Sequence, residues 1–371
     1  MKKAVLISCF DWYEKRLEPI KNELEQDGFL VTILTSDFDH IGKCRIENKN
    51  VNCTYISVKE YKKNVSIARI LSHSAFSKEV YKQLKNIQPN LIYALVPPNT
   101  VANVCAKYKK QYNDTKLVFD LIDMWPESMP GKKFHGTPPF LYWKNLRDSS
   151  FLCADHIFTE CSLYQEKLNE VVKSKCSTLY LFKETNSNFE IKSSDSHQTL
   201  KLCYLGSMNY IIDIEKIAHI VELLSNEYNV EVKVIGKGEN KESFINALKN
   251  SGATVDDYGP IFDEKKKFEL LHDCDYGFNM MVESVNVGLT IKSIDYLSYG
   301  IPLINNIKGD TWQIVSKYGV GINYTDDESF LLEIKKNTVK SHRQVYDVFQ
   351  SLFSKEAFIH LFKEGLNHLC E

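Results

Sequence analysis

The stretch GLTIKSIDYLSYGIPLI, residues 288 to 304, places Lys292 and Asp295 three residues apart, where an apolar helix pattern begins. If both side chains are solvated, they form a helical ion pair of about 0.2–0.5 kcal/mol and nothing more. If they face a cavity, the lysine and the uncapped N–H groups of the helix start attract an anion. A carboxylate one turn further on can then accept two vicinal hydroxyls. Together these groups suit a ribosyl diphosphate, with Gly288, Leu289, Thr290 and Ser293 supplying the approach to the helix.

Four other stretches carry chemistry. FDLIDMWPES (119–128) brings a strand to Asp123, followed by Trp125 and Glu127, an aromatic beside carboxylates as sugar sites often have. LCYLGSM (202–208) runs a buried strand into Gly206 and Ser207, where glycine allows a sharp turn and close approach of a phosphate. VIGKGENKE (234–242) offers Lys237 between two glycines but lacks the full GxGxxG of dinucleotide sites. In DYGPIFDEKKKFELLHDCDYGF (257–278), Tyr258 sits in a turn where it could lie against a flat base. The Asp273-x-Asp275 pair of the same stretch has the spacing for a divalent metal. It fits a helix end and a strand start better, so no metal site is expected.

Composition narrows the classes. The chain has 371 residues, 43% hydrophobic and 25% charged, and a net charge of −2, as for a globular protein of two domains. The five arginines at 16, 45, 69, 147 and 343 do not cluster, which argues against a polynucleotide partner. Ten cysteines without a CxxC pair suit a reducing compartment. MKKAVLISCF resembles the start of a signal peptide, but Asp11 interrupts the apolar run, so it reads as a first buried strand. No segment reaches the ~18 apolar residues of a membrane span. A cytoplasmic location follows, with contact at the inner face of the membrane admitted by VKEYKKNVSIARI (58–70) and AKYKKQY (106–112), where basic and aromatic residues alternate.

The elements that must position these residues alternate strand and helix twice over. KAVLISC, FLVTILTS, NLIYALVP and KLVFDLID form one series, and LKLCYLG, VEVKVIG and DYGFNMM form a second. Apolar strands alternating with amphipathic helices predict doubly wound parallel sheets. The expected organisation is a first α/β domain over 1–182, a polar linker over 183–198, a second α/β domain over 199–345, and helices over 346–371 that pack back toward the first. Ligands of such sheets bind beyond the carboxyl ends of the strands. The loops carrying Asp11, Asp123, Ser207, Lys237 and Lys292 are therefore expected around one cleft between the domains.

Over nearly its whole length the sequence resembles the family 4 glycosyltransferases of the GT-B fold. LIDMWPES, the LGS turn and GLTIKSIDYLSYGIPLI carry the resemblance, the last being similar to the family pattern G-x-x-x-K-x-x-E-Y-L-x-x-G-x-P-x-I. The resemblance implies two Rossmann-like domains facing across a cleft, Lys292 at the diphosphate and Asp295 at the ribose. It implies a divergent branch, similar to bacterial transferases for capsule, exopolysaccharide or surface glycan. The first glutamate of the family's E-x7-E is Val287 here, the usual Gly-Arg is Gly206-Ser207 with Ile211 and Ile212 beyond, and the glycine-rich first loop is Cys9-Phe10-Asp11-Trp12.

The expected reaction moves a sugar from a nucleoside diphosphate sugar, UDP-linked, to a glycan hydroxyl on an acceptor that a lipid could carry. No resident cofactor and no metal are expected. Lys292 and the helix start would stabilise the departing diphosphate, and the resemblance implies retention. Asp123 orients the acceptor, or acts as general base if the enzyme inverts. Phe10, Asp11, Trp12, Trp125 and Glu127 are the expected acceptor contacts. The donor contacts are Gly206, Ser207, Lys237, Tyr258, Gly288, Leu289, Thr290, Lys292, Ser293 and Asp295. A GT-B-like sugar nucleotide epimerase and a non-catalytic partner of a heteromeric transferase are the rivals, and the broken GxGxxG disfavours a dehydrogenase.

Overall fold

The computed structural model describes residues 1–64, 66–128, 135–185, 198–285, 287–336 and 339–370. Most of the expected linker, residues 186–197, and the side chain of Trp12 lie outside the described residues. The chain divides into two compact units, Met1–Phe182 with Phe358–Glu371, and Lys183–Ala357.

The first unit holds β1 (Lys2–Ser8), β2 (Phe29–Ser36), a short antiparallel ribbon of β3 (Phe38–Asp39) and β4 (Cys44–Arg45), β5 (Cys53–Ile56), β6 (Leu91–Val96), β7 (Lys116–Leu121), β8 (His156–Thr159) and β9 (Cys176–Thr178). Seven of these form a parallel sheet in the order β5-β2-β1-β6-β7-β8-β9. The apolar N-terminus is thus an interior strand, and its neighbour β6, at the centre of the sheet, is buried at every residue. That pattern is expected where helices cover both faces. One buried ion pair ties the layers together. Arg16 grips Asp120 through Nε (2.7 Å) and Nη2 (3.0 Å), and the Tyr93 hydroxyl donates to the same carboxylate at 2.7 Å.

The second unit repeats the plan with β10 (Thr199–Leu205), β11 (Asn229–Ile235), β12 (Thr254–Asp257), β13 (Tyr276–Asn279), β14 (Leu303–Asn305) and β15 (Gly321–Asn323). Its parallel order is β12-β11-β10-β13-β14-β15. In both sheets the strand order reverses beside the first strand, which creates a crevice at the carboxyl ends of β1 and β6 and of β10 and β13.

The two C-terminal helices belong to different units. Helix His342–Phe353 lies in the second unit, where Lys183 N–H donates to the Phe353 carbonyl at 2.9 Å. In the following helix, Lys355–Cys370, Phe358, Phe362 and Leu366 join Leu6, Tyr93 and Phe158 in the core of the first unit. The change of partner falls between Ala357 and Phe358.

Candidate functional site

In the second unit, three loops at the carboxyl edge are joined backbone to backbone. Met208 N–H donates to the Lys237 carbonyl at 3.0 Å, Gly206 N–H to Ile235 at 2.9 Å, and Gly236 N–H to Gly259 at 2.9 Å. The glycines around Lys237 are required by this packing. A Cβ on Gly236 would stand 1.9 Å from the Gly206 carbonyl oxygen, and one on Gly238 would stand 2.1 Å from that of Met208. The Gly-x-Gly that suggested a phosphate loop is therefore explained by loop-against-loop contact. Ser207 and the Lys237 side chain are exposed, the Ser207 carbonyl accepts from the Tyr204 hydroxyl at 2.9 Å, and Tyr258 is 39% exposed.

Helix Ile291–Ser298 begins at this edge, and its start is capped rather than open as the sequence suggested. The Thr290 hydroxyl accepts from Ser293 N–H at 3.1 Å, and Ser293 Oγ accepts from Thr290 N–H at 3.3 Å. Thr290 in turn donates to Asn279 Oδ1 at 2.8 Å, which anchors the cap to the end of β13. From there an amide ladder crosses the sheet ends. Asn279 Nδ2 donates to Asn305 at 2.9 Å, and Asn305 Nδ2 donates to Asn323 at 2.7 Å. Thr290 and Ser293, expected as donor contacts, therefore direct their hydroxyls to the cap. Gly288 accepts from Thr311 through its carbonyl (2.8 Å), and Leu289 is buried.

The anchored helix sets the direction of its two charged side chains, which do not pair with each other. Lys292 extends along β10. Its Nζ donates to the Tyr204 hydroxyl at 3.1 Å and lies 4.4 Å from that ring's centre. Its Cε stands 3.8 Å from where a Cβ on Gly206 would be. Among the described residues no carboxylate lies within ion-pair distance, and burial alone lowers the ammonium from its usual 10.5 to about 8. Asp295 turns instead to Lys183, whose Nζ also reaches Glu264 at 2.7 Å. Glu264 also accepts from the Tyr299 hydroxyl at 2.8 Å and pairs with Lys267; against burial, Lys183 first and then Lys267 and Tyr299 hold its carboxyl down at about 2. Burial raises the Asp295 carboxyl, and Lys183 opposes that shift.

The first unit gathers a different set at the carboxyl ends of β1, β7 and β8. Asp123 is raised by desolvation, while Ser128, Trp125 and the Met124 N–H donate to it. Asp11 is half-buried and Phe10 is buried. Two expected acceptor contacts are already committed elsewhere. Glu127 forms a two-pronged pair with Arg147 (2.7 and 2.8 Å), and Trp125 is packed by the Arg69 guanidinium (4.2 Å from the ring centre), His73 and Phe10. Glu127 is thus tied to Arg147, and Trp125 belongs to the cluster around Arg69 and His73. Asp273 pairs with Lys201 (2.8 Å) and Lys233 (2.6 Å), and Asp275 accepts from the Lys201 N–H, so both aspartates serve the sheet.

Several residues here escaped the sequence. Glu160, one residue past β8, lies beside Asp120 and Asp123, and burial with those charges raises its carboxyl to about 8 despite Arg16. Its position at a strand end was the available signal. Lys183, Asn279, Arg69 and His73 had none, because each gains meaning only from partners distant in the chain.

The comparisons with known proteins follow the architecture. No family model and no curated protein matches the chain. Solved structures do, over its full length. The lipopolysaccharide outer core galactosyltransferase WaaB, in apo form, aligns at TM-score 0.68 with 13% identity, covering 100% of both chains. Sucrose-phosphate synthase from Thermosynechococcus elongatus aligns at 0.69 with 12% identity, covering 100% of this chain and 99% of the other. The chain has the GT-B fold. HepE from Anabaena, solved in complex with UDP and glucose, aligns at 0.59 with 12% identity, covering 99% of this chain and 100% of the other.

Proposed function

We propose that this protein is a glycosyltransferase that takes a sugar from a UDP-sugar and passes it to a hydroxyl of a glycan. The observation that carries the reading is Lys292, a part-buried ammonium at the crevice of the second sheet with, among the described residues, no carboxylate within ion-pair distance. A diphosphate supplies the missing charge. Gly206 leaves room beside the lysine, and the exposed Tyr258 offers a ring for the base. Asp295 takes the ribose hydroxyls with Lys183 holding its carboxylate. That HepE is solved with UDP and glucose agrees with this assignment.

In the reaction, the bond between the anomeric carbon and the diphosphate oxygen breaks as the acceptor oxygen bonds to that carbon. The acceptor proton passes to the leaving phosphate in the retaining course we favour. Positive charge builds on the anomeric carbon while negative charge grows on the diphosphate. A preorganised donor such as Lys292 is worth on the order of 3–4 kcal/mol against that charge. No resident cofactor or metal is invoked, and Asp123 orients the acceptor in the first unit. Membership of family 4 and a role in bacterial capsule, exopolysaccharide or surface-glycan synthesis belong to the same proposal.

The enzyme would act in the cytoplasm at the membrane face, where its acceptor is lipid-linked. Helix Ile67–Ile87 exposes Ile67, Ile70 and Leu71 on one face of its first turns, preceded by the exposed Lys59, Lys62 and Lys63. Apolar side chains rimmed by lysines suit an anionic lipid surface. Incubation with UDP-sugars and a panel of glycan acceptors, with UDP release monitored, tests the activity. Acceptor-dependent release supports it. Sugar conversion from donor alone would assign an epimerase, and absence of nucleotide binding would leave the non-catalytic partner.

A further inference from the structure

The first unit buries three arginines, and two of them have carboxylates. Arg16 is paired with Asp120 and Arg147 with Glu127, each through two nitrogens. Arg69 is the exception. It is 8% exposed, and among the described residues no carboxylate lies within ion-pair distance. Its Nη1 donates to the Asn64 carbonyl at 2.9 Å and the guanidinium bonds Tyr61, while Nε is buried without a partner. Asp123, whose charge acts on the guanidinium, is held within its own turn.

Aromatic rings and further polar groups surround the guanidinium. Arg69 stacks on Trp125 and lies 5.9 Å from the ring centres of both Phe10 and Tyr61. His73, one helical turn on and 2% exposed, stacks beside Trp125 with its Nε2 buried and, among the described residues, unpartnered. A second cation, Lys43, caps the Tyr61 ring at 5.1 Å, bonds His40 and Asn64, and has no carboxylate in ion-pair range among the described residues. His40 is driven down to about 3 by burial and by Arg69 and Lys43, so it adds no charge of its own. A buried unsatisfied donor costs about 1–3 kcal/mol, and an unpaired buried charge costs more. The paired Arg16 and Arg147 show that this unit supplies carboxylates where an arginine is structural.

We propose that Arg69, with His73 and Lys43, binds an oxyanion, a phosphate or carboxylate, carried by the acceptor, with Trp125 and Phe10 walling the site. Only the identity of the carrier rests on the transferase reading; the site itself does not. The unpartnered Nε–H of the guanidinium offers a charged donor to the oxyanion, and neutral His73 offers a second through its Nε2–H tautomer.

The test is a titration of the 15N-histidine-labelled protein, with the His40 and His73 signals assigned. Inorganic phosphate and glucuronate are the probes, and glucose is the uncharged control. At least one oxyanion should shift His73 saturably while glucose does not, and phosphate alone or glucuronate alone would name the group. Arg69→Gln should weaken the response at least tenfold, whereas Lys292→Met should leave it unchanged. The inference is overturned if neither oxyanion moves His73, a result the wild-type protein alone can give. It is equally overturned if a folded Arg69→Gln responds like the wild type. UDP binding is measured in parallel, so a chain that binds oxyanion at His73 but no nucleotide keeps this site and loses the transferase reading.

Discussion

Replacing Lys292 by methionine should make the protein more stable and a poorer binder of UDP. The folded state lowers this ammonium from 10.5 to about 8 by burial. Between those values the unfolded chain holds more protons than the folded one, so stability rises with pH across that window. Below about pH 8 the full penalty applies, on the order of 1–3 kcal/mol. Methionine keeps the aliphatic stem against Tyr204 and Gly206 and removes the charge, so the gain should be largest at pH 7 and fade toward pH 10.5. Binding moves the other way. A charge-assisted hydrogen bond to a diphosphate is worth about 1.5–3 kcal/mol, so affinity for UDP should fall about 10- to 150-fold. Wild-type affinity should also decline above about pH 8 as the ammonium deprotonates, a decline absent from the variant. Urea denaturation at pH 7 and 10 and calorimetric titration with UDP from pH 6.5 to 9.5 read these effects. A variant that is destabilised at pH 7, or that binds UDP as well as wild type with the same pH dependence, would refute the reasoning.

Other outcomes follow from the same contacts. Asn305→Leu breaks the amide ladder that holds the Thr290 cap and should cost about 1–3 kcal/mol, read as a lower urea midpoint with an unchanged slope. Arg16→Met leaves Asp120 charged and enclosed, which should destabilise the first unit by about 3–5 kcal/mol in the same assay. Because the Glu160 carboxyl is raised to about 8, the folded state holds more protons than the unfolded chain between about pH 4.5 and 8. Wild-type stability should therefore fall across that window, and Glu160→Gln should flatten the fall; a variant that parallels wild type at every pH would contradict it. Lys183→Met releases Asp295 and Glu264 and should weaken UDP binding less than Lys292→Met does, in a calorimetric comparison.

The sheets were legible in the sequence because parallel strands covered on both faces are continuous apolar runs. KAVLIS, LIYALV and KLCYL could hardly be anything else. The helix after residue 290 was legible for the same reason, from Ile291, Ile294 and Leu297. Its cap was not, since Thr290 and Ser293 look like ordinary polar residues until Asn279 arrives from another strand end. Lys292 and Asp295, one turn apart, could be read from the sequence either as a pair or as two groups facing a cleft, and in the fold each is constrained from outside the helix. Lys183 reaches Asp295 across 112 residues, a distance no local pattern records. Trp125 and Glu127 suggested sugar binding by their types alone, and the arginines that contact them, Arg69 and Arg147, carry no local mark of that task.

The central claim is that the crevice of the second sheet holds a nucleoside diphosphate on Lys292. A crystal structure of the protein soaked with UDP measures this directly. The account predicts diphosphate oxygens within hydrogen-bond distance of Lys292 Nζ, beside Gly206, with the ribose toward Asp295. Finding UDP bound elsewhere, or bound with Lys292 still turned to Tyr204 and away from the phosphates, would contradict it.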